Sequence, residues 1–190
     1  MKIVAMADTH GKHDQVDVPD GDVLIHAGDF THFGQRCESF VGWYSRLPHK
    51  HKIIILGNHE KGGLSDAVTA LLGSQHFIFL SKRRKDHVTI DGVTFSLADS
   101  ASAQESDPDV VISHVPPAGI LGGAGPRAET IREALRSVEM KVHVFGHIHQ
   151  GYGRTVQDDT IFINASIVEG SGVRHDPITY ELQEPRDPAT

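Results

Sequence analysis

The sequence predicts an α/β fold, two mixed β-sheets packed face to face with helices outside, and three observations carry that expectation. Short apolar runs rich in β-branched residues recur and end in clusters of Gly, Asp, Asn and His. Candidate helices separate the first of these runs, which points to α/β layering. A second group of apolar runs arrives with no helix between its members, which points to hairpins.

Taken in chain order, Lys2 to Ala7 is the first run and stops at Asp8-Thr9-His10-Gly11. Asp22 to Ala27 stops at Gly28-Asp29, a helix is expected over roughly Gln35 to Leu47, and Lys52 to Leu56 stops at Gly57-Asn58-His59-Glu60. Apolar runs of this length bounded by breakers are buried strands rather than helices. A second helix is expected over Leu64 to Leu72. Val88 to Ile90 and Val93 to Ala98 flank Asp91-Gly92, a strong hairpin turn. Asp109 to Ser113 stops at His114, and a helix over Ala128 to Val138 follows Pro126, a residue favoured at helix starts. Lys141 to Phe145 stops at Gly146-His147-Ile148-His149, and Thr160 to Ile163 and Ile178 to Leu182 complete the strands. The Gly-, Pro-, Ser- and Ala-rich loops Asp99 to Pro108 and Pro116 to Pro126 are expected to be mobile rims of a cleft. Residues 1–183 read as a single domain and 184–190 as a disordered tail.

A chain of 190 residues with 38% hydrophobic residues can bury a sizeable core. The net charge of −7 and pI near 6.0 disfavour tight binding to long nucleic acid, but not a small phosphorylated substrate, because bound cations would invert the potential of a cleft. The one cysteine, Cys37, allows no internal disulfide and suits a reducing compartment. Residues 3–7 are too few for a signal-peptide core and no later stretch approaches a membrane span, so a cytoplasmic protein with no membrane partner is expected. The composition leaves the oligomeric state open. The 14 histidines raise the expectation of a metal site without locating it.

Ligands of α/β sheets bind beyond the carboxyl ends of the strands. Five strand ends here deliver Asp8 and His10, Asp29, Asn58, His114, and His147 with His149, donors suited to divalent ions. Within Asp8-x-His10 and His147-x-His149 the i and i+2 spacing lets both side chains project to one side of an extended chain. Gly28 permits the sharp turn that brings Asp29 to a strand tip, and a carboxylate can bridge two cations. Two metals about 3.5–4 Å apart would acidify a bridging water and clamp both oxygens of an in-line phosphoryl displacement. His59, pointing away from Asn58 in an extended segment, is the candidate proton donor to the leaving alkoxide.

These motifs, in this order, resemble the calcineurin-like metallophosphoesterases over roughly residues 1–166. The wording of 21–31, 47–60, 145–153 and 163–166 resembles in particular the small metallophosphoesterase-domain subgroup of bacteria and animals. The resemblance implies a four-layer αββα sandwich. It implies one metal held by Asp8, His10, Asp29 and His149, and another held by Asp29, Asn58, His114 and His147, with Asp29 bridging and His59 catalytic. Manganese is the favoured ion, with Fe, Zn, Co, Ni and Mg as the others this donor set admits. The sequence also departs from relatives. Where the serine/threonine protein phosphatases carry GDxxDR, this chain reads Gly28-Asp29-Phe30-Thr31-His32-Phe33, which argues against a phosphoprotein substrate. Residues 99–104 lack the Pro-Trp loop of the animal members.

The resulting expectation is a dinuclear metal-dependent phosphoesterase acting on small phosphodiesters, cyclic nucleotides among them. The alternatives are a phosphomonoesterase on a small phosphorylated metabolite or nucleotide, a non-catalytic metal-binding scaffold and, less favoured by charge, a nuclease. Other polar residues have plainer readings. Glu60 is expected to support a helix start or the metal ligands from behind, His26 and His143 to be buried and hydrogen-bonded, and His13, His49, His51, His76, His87 and His175 to lie on the surface. His32 either faces substrate or does not. Lys12, Arg36, Lys61 and Arg127 are candidates for phosphate contact, though solvated surface positions are the plainer reading; Asn164 and Ser166 fit a turn or ligand support, and Trp43 and Tyr44 are expected to pack in the core rather than stack on bases.

Overall fold

Apolar strands long enough to bury both faces need a layer on each side. In the computed structural model, which describes residues 1–60, 77–81, 85–98 and 102–183, they find it in each other and in helices. The strands are β1 (Lys2–Met6), β2 (Val23–His26), β3 (His51–Ile54), β4 (Ile78–Phe79), β5 (His87–Ile90), β6 (Val93–Leu97), β7 (Val110–Ile112), β8 (Val142–Phe145), β9 (Gly153–Gln157), β10 (Thr160–Asn164), β11 (Val168–Glu169), β12 (Gly172–Val173) and β13 (Ile178–Glu181). The described helices are α1 (Cys37–Arg46), α2 (Ser102–Glu105) and α3 (Pro126–Ala134). None of them is long and apolar enough to cross a membrane.

One sheet has the order β13-β1-β2-β3-β4 and the other β5-β6-β7-β8-β10-β9, while β11 and β12 form a small separate hairpin. Strands β1 to β4 are mutually parallel with β13 antiparallel at the edge. In the second sheet β6, β7, β8 and β10 are parallel and the hairpin partners β5 and β9 antiparallel. Inward-facing Ile3, Ala5, Ile25, Ile53, Val110, Ile112, Val142 and Val144 fill the space between the sheets. Burial of each of these Val and Ile side chains stabilises the fold by ~1.5–3 kcal/mol.

The alternate residues Val4, Met6, Leu24 and Ile54 face outward beneath α1, whose buried Cys37, Phe40, Val41 and Tyr44 recur at helical spacing. On the other side Ile131 and Leu135 of the α3 segment cover Ala98 and Val111. The order helix, sheet, sheet, helix is the expected αββα sandwich.

Several expectations need adjusting. The first helix begins at Cys37 rather than Gln35, and α3 includes Pro126 itself and ends at Ala134. The helix expected over 64–72, His76, Lys61 and the tail 184–190 lie outside the described residues. Residues 102–105 carry α2, with Ala103 buried and the Gln104 amide donating to the Ala134 carbonyl, while Asp107 and Pro108 line, with Pro117 and Ile120, a cavity separate from the strand-end cleft. The loop 116–126 is instead folded tightly on itself, with Gly119 N–H donating to Gly123 O (2.9 Å) and Gly123 N–H to Ile120 O (2.8 Å). His13 and His49 are buried, not surface residues. His13 Nε2 lies 2.9 Å from Ser39 Oγ with its ring against Phe40 and Trp43, and His49 Nε2 lies 2.9 Å from the Pro19 carbonyl. An imidazole with an apolar body and one satisfied nitrogen packs inside readily.

Candidate metal centre

The carboxyl ends of β1, β2 and β3 in one sheet and of β7 and β8 in the other open on the same end of the sandwich, and the two sheets are tied there. Ala7 N–H donates to Ala165 O (2.8 Å) and Ile167 N–H donates to Ala7 O (3.1 Å). Asp8 and His10, Asp29, Asn58 and His59, His114, His147 and His149 all leave these strand ends. The structure brings together every one of these eight side chains.

They arrive by a sharper route than the sequence reading assumed. Asp8, His10, Asp29 and His147 all have positive φ, 57°, 43°, 55° and 71°. The i, i+2 pairs are therefore carried by left-handed turns, not by extended chain. Non-glycine residues there are strained, and such strain concentrates at functional sites. The segment 57–60 is likewise a turn, so Asn58 and His59 both reach the cleft instead of pointing apart. Close approach explains two glycines: a Cβ on Gly57 would collide with Asp29 Oδ1, and one on Gly146 with Asp8 Oδ2.

The donor atoms form two carboxylate-bearing clusters, Asp8, His10 and His149, and Asp29, His114 and His147, and a third group of imidazoles alone, His10, His32 and His59, each with its atoms within 4.8 Å of one another. In the first, His10 Nε2 and His149 Nε2 face each other at 3.3 Å and lie 3.8 and 3.7 Å from Asp8 Oδ1. Asp8 Oδ1 is buried without a hydrogen-bond partner, whereas Oδ2 accepts from Ser166 Oγ (2.6 Å) and the His147 amide (2.8 Å). One carboxylate oxygen is thus anchored and the other left aimed between two imidazoles. In the second cluster His114 Nε2 lies 3.3 Å from Asp29 Oδ2 and 2.9 Å from Asn58 Oδ1.

Asp8 and Asp29 are 0% and 2% exposed, and among the described residues no lysine or arginine pairs with either. Buried carboxylates need compensating positive charge, so this donor set fits divalent cations. Nδ1 of His114 lies 2.9 Å from the Ala27 carbonyl and Nδ1 of His10 3.3 Å from the Thr31 carbonyl. A backbone acceptor on Nδ1–H fixes the tautomer that leaves the Nε2 lone pair for a metal.

The electrostatics agree. Burial works to raise Asp29, but His114 and the His59 amide outweigh it and hold the carboxyl lowered to about 2. Asp8 is lowered as well, burial being overcome by His149, His114 and Ser166. Burial alone would lower His114, yet the carboxylates raise it, and His149 is raised chiefly by Asp8. Burial pushes His10 and His147 down.

The ligands are held from behind. Glu60, buried, accepts from the Asp29, Thr31 and Gly57 amides and from Thr31 Oγ1 at 2.8–2.9 Å. Asn164 Nδ2 donates to the Ile148 carbonyl (2.8 Å) and its Oδ1 accepts from the Ser166 amide (3.1 Å), so Asn164 and Ser166 support the ligand loops. His26 and His143 are buried, within hydrogen-bond distance of Thr9 and Ser113. Trp43 and Tyr44 pack in the core.

A cleft of about 610 Å³ opens over these groups, and Lys12, His32 and Arg36 join its lining. His32 therefore does face the cleft. Arg36 is engaged by Asp14 (2.9 Å) and by the Gly11 carbonyl, while Arg127 is exposed near His147. Two residues escaped the sequence reading. Thr31 joins the Glu60 clamp, and Phe33 lies against the His59 ring with centroids 4.2 Å apart at 23°. The signal for Phe33 was its place beside His32, in the segment that departs from the protein-phosphatase pattern.

Comparison with known proteins gives a consistent picture. Residues 1–151 match the Metallophos sequence profile, described as calcineurin-like phosphoesterase. UPF0046 protein K07C11.7 of Caenorhabditis elegans is 35% identical over 218 aligned residues, covering 96% of this chain and 75% of that protein. Human metallophosphoesterase domain-containing protein 1 is 29% identical over 236 residues, covering 98% of this chain and 72% of its own. In fold alone, GAP50, the anchor in the inner membrane complex of Plasmodium, superposes with a TM-score of 0.54 at 12% identity, covering 88% of this chain and 71% of that one.

Proposed function

Because this chain belongs to the calcineurin-like phosphoesterase family, we propose that it hydrolyses small phosphodiesters, cyclic nucleotides among them, with two divalent cations held at the joined strand ends. The observation that carries the reading is the pair of clusters, one around Asp8 and one around Asp29, each a buried carboxylate facing two imidazoles. Cations bound there would supply charge neutralisation and an acidified water near neutral pH. Asp8, His10, Asp29 and His149 suit one of them, and Asp29, Asn58, His114 and His147 the other.

The protein's own groups do the rest. His59 Nε2 lies 3.8 Å from Asp29 Oδ2, at the floor of the cleft. As water adds to phosphorus and gives up a proton, the bond from phosphorus to the leaving oxygen breaks, and that oxygen takes a proton from His59. Glu60 keeps Asp29 and the 57–60 turn in register during this exchange. The cleft volume lies within the ~300–1,000 Å³ usual for small-molecule sites. A diester is favoured because Arg36 is already paired with Asp14, which leaves Lys12 as the other lysine or arginine of the cleft lining to meet a dianionic monoester.

The test is hydrolysis of bis(4-nitrophenyl) phosphate by the manganese-loaded protein, with 4-nitrophenyl phosphate for comparison. Faster turnover of the diester is expected, EDTA should abolish it, and Asn58→Ala and His59→Ala should each lose ~10²-fold or more. Equal rates in wild type and both variants would end the reading.

A further inference from the structure

Among the described residues, the large apolar side chains left exposed are Phe33 and Val156, each at 67%. Phe33 also sits at φ 51°, in the left-handed region that non-glycine residues rarely occupy. A ring so exposed gains little from burial, and its backbone gains nothing from its conformation. Folding therefore gives no reason for Phe33 to be where it is. Its contact does: the ring is stacked on His59 at 4.2 Å and 23°, and meets His32 at 4.8 Å.

His59 lacks the usual means of aiming an imidazole. A histidine that transfers protons through one nitrogen is commonly oriented by a hydrogen bond to the other. Here the His59 backbone amide is fixed on Asp29 Oδ1 (2.9 Å), but ring Nδ1 is buried with no hydrogen-bond partner among the described residues. What touches the ring is aromatic: Phe33 stacked on it, His10 at 4.5 Å and 62°, and His32 at 5.5 Å and 44°. His10 and His32 are polar groups facing the cleft. Phe33 alone is apolar and lies parallel to the imidazole, the arrangement that restricts tilt of the ring.

We propose that Phe33 is the positioning residue of His59, and that stacking, in place of a hydrogen bond to Nδ1, aims Nε2 at the leaving group. The inference rests on the phosphoesterase reading and adds to it the device that orients its proton donor. Phe33 has no ring contact with the Asp8 or Asp29 clusters and, on this account, none with the substrate; its ring neighbours are His59 and His32, which group with His10.

Leaving groups that need the proton differ from those that do not, so the test is a series of diaryl phosphodiesters of one shape with nitro-, unsubstituted and methoxy-phenyl leaving groups. Manganese-loaded wild type, Phe33→Leu and Phe33→Tyr are compared, with melting temperature and bound metal measured on each. Phe33→Leu should lower kcat for the methoxyphenyl ester by roughly tenfold or more and for the nitrophenyl ester by less than about twofold, with KM unchanged, and Phe33→Tyr should restore both. In the metal-free protein the His59 ring-proton NMR signals should move downfield in Phe33→Leu as the stacked ring current is lost. Equal losses across the series, no loss, or a loss carried by KM would overturn the assignment of Phe33 while leaving the phosphoesterase reading intact. A wild type that turns over none of the esters with metal would remove both.

Discussion

Glu60 offers no donor atom to either metal cluster, yet four donors converge on its carboxylate. Replacement by Gln exchanges one acceptor oxygen for an NH2 group that faces a backbone N–H, so one hydrogen bond is lost if it takes the Oε1 place, where the Thr31 hydroxyl can turn to accept, and two if it takes the Oε2 place, and the Asp29 loop loosens. Glu60→Gln should weaken manganese binding by ~10–100-fold with the ligands themselves untouched, read by titration of the metal-free protein; unchanged affinity would show that the clamp is not needed. At this scale the sequence was informative about which residue types gather and silent on how they are held. Asp8, Asp29 and His114 were legible because ordered motifs announce them. The left-handed backbone at Asp8 and His10 was not, since the spacing of two donors fits an extended chain as well as a turn. Phe33 was missed because an aromatic in a loop has no periodicity to betray its partner.

The docking of α1 on the first sheet shows how an element is fastened. Phe30, Phe40 and Tyr44 stack in series, with centroids at 4.5 and 5.3 Å, and the buried Tyr44 Oη reaches the carbonyls of Leu24 (3.1 Å) and Ile53 (2.8 Å) on two adjacent strands. Tyr44→Phe keeps the packing and removes the single O–H donor that these two carbonyls share. A loss of ~1–2 kcal/mol is expected, seen as a melting temperature lower by several degrees with metal binding unaltered. The main strands and α1 were legible because apolar runs and the 37, 40, 41, 44 spacing declare them. Short elements were not: β4 and the β11–β12 hairpin have two residues per strand, too few for any period to register. The strand β9 escaped because its exposed, alternating edge lacks an apolar run.

For the molecule as a whole, buried histidines set the acid limit of stability. His26 and His143 are completely buried and held at about 3, because burial disfavours their charged form. Their folded pKa lies below the unfolded value near 6.5, so the unfolded chain binds more protons on acidification. Stability is full above pH ~6.5 and falls as pH drops toward 3, by about 2 kcal/mol per histidine at pH 5. Ser113 Oγ donates to the Val115 carbonyl (2.7 Å), which leaves it to accept from His143 Nε2–H (2.8 Å). In His143→Gln the stability gap to wild type measured at pH 7.5 should shrink by about 2 kcal/mol at pH 5 in urea titrations; a constant gap would place the acid sensitivity elsewhere.

Each of the two carboxylate-bearing clusters draws on both layers of the sandwich. Asp8 and His10 follow β1 in one sheet while His149 follows β8 in the other, and Asp29 follows β2 while His114 and His147 follow β7 and β8. An ion seated in either cluster would therefore act as a rivet through two plates, adding to the backbone stitch between Ala7 and Ala165. Emptying the centre would then release the seam between the layers as well as silence the chemistry, making cation supply a mechanical condition of this architecture.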